Sequence, residues 1–403
     1  MKEKSFISEH PAYSAGCFLL TISVVLAKIQ AIVKNLQIKK KKVVFVGVSG
    51  GVDSSVSAAL LKDLGYEVFG VFIKVWQPDF ITCTWREEKR DAMRVCAHLD
   101  IPFIFLDLEK EYKEGVADYM INEYKAGRTP NPDVMCNKEV KFGAFLKWAL
   151  LHGADYIATG HYARNEELRI TNYELKNKKQ YKLLAGKDQN KDQSYFLWTL
   201  TQEKLNHVLF PVGNLTKPAV RKLAGKFGLP TAEKKDSQGV CFLGKLDMKD
   251  FLKHYIKEKK GNILDEKGKV IGTHNGALFY TLGERHGFEI IKKGINDKPY
   301  YVVGKDILKN TLIVSQTIKR SASDSFKNNE FLLEGVSITN KVPVIGKKYH
   351  ARIRYRQVLE ECVVLEWGIK TAKVHFKNPQ TVASGQSLVL YDKYECLGGG
   401  IVV

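Results

Sequence analysis

No two of the seven cysteines are spaced C-x-x-C; they stand at positions 17, 83, 96, 136, 241, 362 and 396. That spacing argues against a zinc ribbon. An odd count spread over a long chain argues against a disulfide scaffold and for a reducing compartment, the bacterial cytoplasm before the mitochondrial matrix. Clean hydrophobic spans are missing too. The most apolar stretch, residues 15–33, is broken by Lys28 and Gln30, is marginal for a membrane span and lacks a small-residue cleavage site. Residues 1–42 contain no arginine and carry Glu3 and Glu9, a poor fit to a mitochondrial leader. Three readings of 1–42 stand: a nonfunctional extension from a start site assigned too early, which is preferred, an added helix, or a weak membrane anchor. Acidic residues are in deficit, with 44 Asp+Glu against 63 Lys+Arg and a net charge of +19. Such an excess suits a polyanionic partner such as nucleic acid, the plain alternative being a solvated basic surface.

The chain is long enough, at 403 residues, for two or three domains. Its most informative stretch runs from Val43 to Ser55. The β-branched run Val43–Val48 reads as a buried parallel strand. It stops at Ser49-Gly50-Gly51, where the backbone can turn tightly and approach a ligand. A helix then begins, with Asp53 or Ser54 expected as its cap. Strand, glycine loop and helix N-terminus together make an anion site of backbone N–H groups. The loop is not the pattern G-x-x-x-x-G-K-[ST], because no lysine follows the glycines. No lysine is therefore expected beside a transferred γ-phosphate. Ser49-Gly50-Gly51-Val52-Asp53-Ser54-Ser55 resembles the signature of the PP-loop ATP pyrophosphatases. That resemblance implies a grip on the β,γ-pyrophosphate of ATP and transfer of AMP to a substrate oxygen.

Strands and helices alternate after this loop. Strands are expected at Glu67–Val75, Phe103–Leu108 and Asp155–Thr159, and helices at Trp85–Leu99, Glu109–Tyr124 and Lys138–His152. The alternation predicts an α/β doubly wound parallel sheet with ligands at the carboxyl ends of its strands. Residues 165–180 read as a surface hairpin or loop. Helical patterns over Asp192–Leu209, from Thr216 to Phe227, and over Asp247–Lys259 predict a small helical middle domain. From about Gly261, short apolar runs such as ALFYTLG, YYVVGKD and ECVVLEW predict a C-terminal β-barrel.

Two further segments carry chemistry. Residues 127–137 (GRTPNPDVMCN) form a rigid Pro-Asn loop that sets Asp133 and Cys136 three positions apart before a helix. A thiolate is favoured at a helix N-terminus, and an adjacent acid can move a proton. Lys234-Lys235-Asp236-Ser237-Gln238-Gly239-Val240-Cys241 places a second cysteine in a basic segment. The plain alternatives are a structural turn with a buried Cys136 and a buried strand cysteine at 241. If both react, one carries sulfur as a persulfide and the other attacks it, leaving a disulfide.

Over residues 43–403 the chain resembles the tRNA-specific 2-thiouridylases. The shared segments include EYKAGRTPNPDVMCNKEVKFGAF, GADYIATGHYAR, KDQSYFLWTL, LFPVGNLTKPAVRKLA, KKDSQGVCFLG and YECLGGGI. The resemblance implies ATP- and Mg²⁺-dependent thiolation of carbon 2 of the wobble uridine in tRNAs for Lys, Glu and Gln. It makes Gly47, Val48, Ser49, Gly50, Gly51, Val52, Asp53 and Ser54 the ATP loop, with Ile73 and Gly160 as further ATP contacts. Cys136 matches the nucleophile, Cys241 the persulfide carrier that ends in a disulfide with Cys136, and Asp133 the acid/base. Asn131, Pro132 and Asp133 match the loop that meets the flipped base. His161, Lys191, Asp192, Gln193, Arg354, Tyr355 and Gln386 match tRNA contacts. By the same resemblance, 43–205 is the adenylation domain, 206–270 a central tRNA-binding domain and 271–403 the β-barrel domain. The persulfide requires a donor, a sulfur-relay protein or a cysteine desulfurase. The protein is expected to be a monomer with no stable membrane partner. The segment 77–81 departs from the family, whose members often have a longer acidic stretch there.

Two rival functions remain at this stage: an ATP-dependent small-molecule synthetase built on the same loop, and a noncatalytic RNA-binding protein. An iron–sulfur route using Cys136, Cys241 and Asp133 is the chemical alternative to the persulfide. No resident metal is assigned. Cys83, Cys96, Cys362 and Cys396 read as structural.

Overall fold

The computed structural model describes residues 41–81, 85–168, 179–235, 247–291, 298–316 and 328–403. Within it, Val43–Val403 form one compact unit. The extension before Lys41, Cys83 and the whole 236–246 segment with Cys241 lie outside the described residues.

The first apolar run becomes strand β1 (Val43–Gly47). It pairs in parallel with β2 (Glu67–Lys74) and β4 (Tyr156–Ala158). Strands β3 (Phe103–Asp107) and β7 (Val208–Leu209) complete a sheet of order β3-β2-β1-β4-β7. Side chains of a strand alternate between faces, and β1 shows both covers. Val44 and Val46 pack with helices α1 (Val52–Asp63) and α2 (Trp85–His98). Phe45, on the other face, packs with α3 (109–125) and α4 (132–151). The doubly wound sheet expected from the sequence is therefore present. Strand order turns back between β1 and β4, which opens a crevice at the carboxyl ends of those two strands.

A hairpin of β5 (Ala163–Leu168) and β6 (Gln180–Ala185) follows β4. The helix expected over 192–209 does not form. That segment holds a single turn at Ser194–Phe196, the short helix α5 (Gln202–Leu205) and β7. The reason is local competition and burial. Asp192 Oδ1 accepts the backbone N–H groups of Gly186 (2.9 Å) and Ser194 (3.1 Å), and Tyr195 and Trp198 turn into the core. Helix α6 (Lys217–Lys226) forms as expected after Thr216, with Pro218 in its first turn, and it lies on α1 in the cover of the parallel sheet. Helix α7 is shorter than expected, Met248–Lys253, with Asp247 capping the Lys249 N–H.

Where the sequence predicts a small helical middle domain, α6 belongs to the cover of the parallel sheet and the middle of the chain forms a five-stranded sheet: β8 (Gly261–Leu264), β9 (Val270–His274), β10 (Glu289–Ile290), β11 (Tyr301–Asp306) and β12 (Thr311–Ser315). ALFYTLG, expected as a strand, makes a 3₁₀ turn at Ala277–Phe279 instead. The C-terminal strands are β13 (Asn328–Ile338), β14 (Lys348–Arg352), β15 (Glu360–Trp367), β16 (Thr371–Gln380), β17 (Ser387–Asp392) and β18 (Glu395–Val402). They run antiparallel, and β13 pairs with both β16 and β18, closing the six-stranded barrel. Strand β6 of the first region adds to the barrel edge beside β18. Among the described residues no helix is long and apolar enough to cross a membrane.

Candidate active site at the carboxyl edge of the parallel sheet

The Ser-Gly-Gly loop leaves β1 directly into the crevice between β1 and β4. Gly50 has φ +72°, and a Cβ there would stand 2.7 Å from the Glu88 carbonyl of α2. Only glycine combines that backbone with that proximity. The helix is capped by Gly51, not by Asp53 or Ser54, which lie inside its first turn. Ser54 is drawn back into the loop. Its Oγ accepts from the Ser49 N–H (3.2 Å) and donates to the Gly51 carbonyl (3.1 Å). Gly160, after β4, closes the other wall. A Cβ on it would stand 2.7 Å from the Ser54 N atom, so the Gly160 backbone touches the start of α1. Ile73 ends β2 on the same edge, in register with Leu106 of β3. The backbone amides at the start of α1 thus face a crevice whose floor is glycine.

Asp53 projects from the first turn of α1 and is held from two sides. The Tyr162 hydroxyl donates to its Oδ1 at 2.8 Å. The Lys217 ammonium lies 2.8 and 2.9 Å from Oδ1 and Oδ2. Lys217 is the first residue of α6 and arrives from 164 positions away. The sequence shows no lysine next to the glycines, and the fold supplies one. The only local signal for it is a lysine opening a helix at Thr216-Lys217-Pro218.

The helix expected from Lys138 begins earlier, at Pro132, because Asn131 caps it and Pro132 suits its first turn, so Asp133 and Cys136 lie inside α4, which carries them to the same edge. Its last turn feeds β4 at the amino edge, so its first turn points to the carboxyl edge. Phe145 of α4 packs 3.8 Å from where a Gly47 Cβ would be. Cys136 is nine residues nearer the helix start and so lies further out toward that edge. The helix is capped by Asn131, whose side chain accepts the Val134 N–H at 3.3 Å, with Pro132 in its first turn. From Cys136 to Phe145 it widens into π turns, a feature common at functional sites. Cys136 is buried, 4% exposed. Asp133 is half-buried, and desolvation pushes its carboxyl above the ordinary value of 3.8 while nearby Lys141 pulls it down. Burial pushes Cys96 up to about 11 and Cys362 and Cys396 up to about 12, so they stay protonated and inert.

The loop before α4 is held by distant parts of the chain. The Thr129 N–H donates to the Ser384 carbonyl (2.7 Å), and the Gln386 amide donates to the Thr129 carbonyl (2.9 Å). Thr129 Oγ1 meets Thr281 Oγ1 of the middle region at 3.3 Å. The Tyr195 hydroxyl sits 3.0 Å from the Ile353 and Ser387 carbonyls of the barrel.

The remaining expected residues divide into inward and outward groups. His161 is buried between Phe142 and Phe210, its Nδ1 2.7 Å from Thr159 Oγ1. Desolvation, with Lys141 adding to it, holds its imidazole well below the usual value of 6.5 and therefore neutral. Asp192 is 3% exposed and paired with Arg352 at 3.2 Å. Gln193 exchanges hydrogen bonds with the backbone of Tyr162, both at 2.9 Å. Arg354 is exposed, and half-buried Tyr355 packs on Phe196 with Arg356 over its ring at 5.0 Å. Lys191 is half-buried at the rim of the same surface. Tyr162, Lys217, Thr129 and Tyr195 were not singled out by residue type; each acts through a partner far away in sequence.

Residues 41–245 match the family described as tRNA methyl transferase HUP domain, 249–316 the tRNA methyl transferase PRC-barrel domain, and 329–402 the aminomethyltransferase β-barrel domain. The tRNA-specific 2-thiouridylase MnmA of Bacillus licheniformis is 46% identical over 365 residues, covering 89% of this chain and 94% of that protein. The protein of the same name from Streptococcus thermophilus is 44% identical with the same coverage. Among solved structures, a 4-thiouridine synthetase–RNA complex with bound ATP is 20% identical, with a TM-score of 0.32, over 51% of this chain and 46% of that one. Three matched domains in order, and identity near one half along nearly the whole length of both chains, make this chain a member of the tRNA-specific 2-thiouridylase family.

Proposed function

We propose that the protein catalyses ATP-dependent 2-thiolation of the wobble uridine in tRNA, the Lys, Glu and Gln isoacceptors being its substrates. The observation that supports this most is the shared edge. One parallel sheet presents a glycine anion loop at the end of β1 and, on the same side, a buried cysteine near an acid whose carboxyl burial raises. That placement is what a reaction with an activating half and a sulfur half at one substrate position would need.

In the reading we favour, the uridine O2 attacks the α-phosphorus of ATP and pyrophosphate leaves. The residues from Gly47 to Ser54, with Ile73 and Gly160, hold the nucleotide. The terminal sulfur of a Cys241 persulfide adds to C2, Cys136 attacks the Cys241 sulfur and breaks its S–S bond, and AMP departs. Carbon 2 then carries sulfur, the two cysteines end as a disulfide, and a dithiol reductant resets them. Asp133, made a weaker acid by burial, holds or passes the proton. Asn131 and Pro132 meet the flipped base. Exposed Arg354 and the Tyr355 ring, beside Lys191, suit phosphate contact and stacking. Asp192, Gln193, His161 and Gln386 act by shaping that surface from within. A hard carboxylate at the loop, Asp53, fits Mg²⁺, which takes one or two carboxylates alongside phosphate oxygens. When bound, Mg²⁺ neutralises phosphate charge. The persulfide comes from a sulfur-relay protein or a cysteine desulfurase, and a monomer in a reducing cytoplasm suits the widely spaced thiols.

The test is nucleoside analysis of tRNA together with ATP–pyrophosphate exchange. The proposal expects exchange that requires tRNA and 2-thiouridine in the product. Exchange driven by a small molecule without tRNA would indicate a synthetase. Tight tRNA binding with no exchange would indicate a noncatalytic binder.

A further inference from the structure

We infer that Lys217 is the cation of the pyrophosphate subsite, held on Asp53 until the nucleotide arrives. This rests on the ATP reading of the Ser49–Ser54 loop and adds a residue that the loop itself lacks. Its basis is the meeting of two helix starts. Asp53 lies in the first turn of α1, and Lys217 opens α6. The ammonium spans both carboxylate oxygens at 2.8 and 2.9 Å, so two helix N-termini converge on one acid. Each terminus carries about half a positive charge. Asp53 and the Asp188 carboxylate on the Lys217 N–H balance that charge and the lysine's at rest, and a phosphate oxygen that replaces Asp53 on the ammonium keeps the balance.

The lysine is built to stay in place. Its backbone N–H donates to Asp188 Oδ2 at 2.9 Å, and its side chain is only 13% exposed. Asp53 does not depend on it, since Tyr162 holds Oδ1 independently. When a pyrophosphate group enters beside the Ser49–Ser54 amides, the ammonium needs only a small rotation to exchange a carboxylate oxygen for a phosphate oxygen. An ordinary half-exposed ion pair contributes little to stability. A pair aimed into an anion loop gains its value when the anion binds.

The arrangement predicts a split between the two halves of ATP. Lys217→Met should weaken binding of inorganic pyrophosphate by tenfold or more while leaving AMP binding within about twofold. Lys217→Arg should keep pyrophosphate binding near the wild-type level. The measurement is calorimetric titration of the full chain, in magnesium chloride, with inorganic pyrophosphate and separately with AMP. Retained AMP binding shows that each variant is folded. Equal pyrophosphate affinity in Lys217→Met and wild type overturns the inference, and so does an equal loss of both ligands. If the wild type binds neither ligand, the ATP reading of the loop fails first, a result distinct from failure at Lys217.

Discussion

The loop after β1 and the loop before α4 both lie on the carboxyl side of the parallel sheet but are built in opposite ways. The first is local. Gly50, Gly51 and Ser54 shape it within six residues, Ser54 Oγ tying the Ser49 N–H to the Gly51 carbonyl. The second is assembled from outside. Thr129 is gripped by Ser384, Gln386 and Thr281, and Cys136, in the helix that follows, is enclosed in the core. The contrast follows from the chemistry. A polyanion is best met by fixed, solvated backbone dipoles. A thiol that must react with sulfur and not with water or stray oxidants is better enclosed, and enclosure takes more chain than one loop contains.

The comparison is broken most severely at the enclosed end. Cys136→Ser is expected to lower 2-thiouridine formation by at least ~10³-fold, as for a removed nucleophile, while pyrophosphate binding at the open end stays at its wild-type value. Nucleoside mass spectrometry and titration check the two halves separately, and loss of both would show that the loops are not independent. Next is the ion pair that joins the segment around Asp192 to the barrel. Arg352→Met leaves Asp192 as a buried, unpaired charge, which costs about 3–5 kcal/mol. Urea unfolding should report that loss, and a change below about 1 kcal/mol would mean that Asp192 is solvated after all. Gly50→Ala attacks the open loop, where φ +72° and the 2.7 Å approach of the Glu88 carbonyl both resist a methyl group. Strain of this kind costs about 1–3 kcal/mol, and the variant should bind pyrophosphate at least tenfold more weakly with Cys136 chemistry untouched.

Smaller effects sharpen the contrast. Gln386→Ala removes one donor from the Thr129 carbonyl, about 1 kcal/mol. It should slow thiolation roughly five- to tenfold without altering pyrophosphate affinity; a matching loss of pyrophosphate binding would contradict the separation. Asp133 gives the smallest effect on stability and a definite sign. Its carboxyl is raised above 3.8 by burial, so between that value and the raised one the native state binds more protons than the unfolded state. Stability therefore falls as pH climbs through that window. Asp133→Asn removes this dependence. Thermal unfolding should show the variant gaining on the wild type at pH 7 relative to pH 3, while thiolation declines. A gain that is the same at both pH values would mean that desolvation of Asp133 is not the cause.

Pattern reading carried much of the fold because its signals are short-range. Val43–Val48 had to be a buried strand, and Trp85–Leu99 shows one apolar face whichever partner covers it. It failed where tertiary contacts outweigh periodicity. The 192–209 segment has helical spacing, but Asp192 caps backbone groups of Gly186 and Ser194 and pairs with Arg352. Buried polar groups must be satisfied even when a helix is lost.

By itself the sequence determined the glycine loop, the three-residue spacing of Asp133 and Cys136 and the strand–helix alternation around β1 to β4. Each depends on backbone geometry and spacing within about ten residues. Only the tertiary structure decided that Lys217 meets Asp53 across 164 positions, that Tyr162 shares that carboxylate, and that the barrel grips Thr129. Those contacts join groups whose attraction acts over a few ångströms, and only the sheet order β3-β2-β1-β4-β7 and the closed barrel bring them within that range.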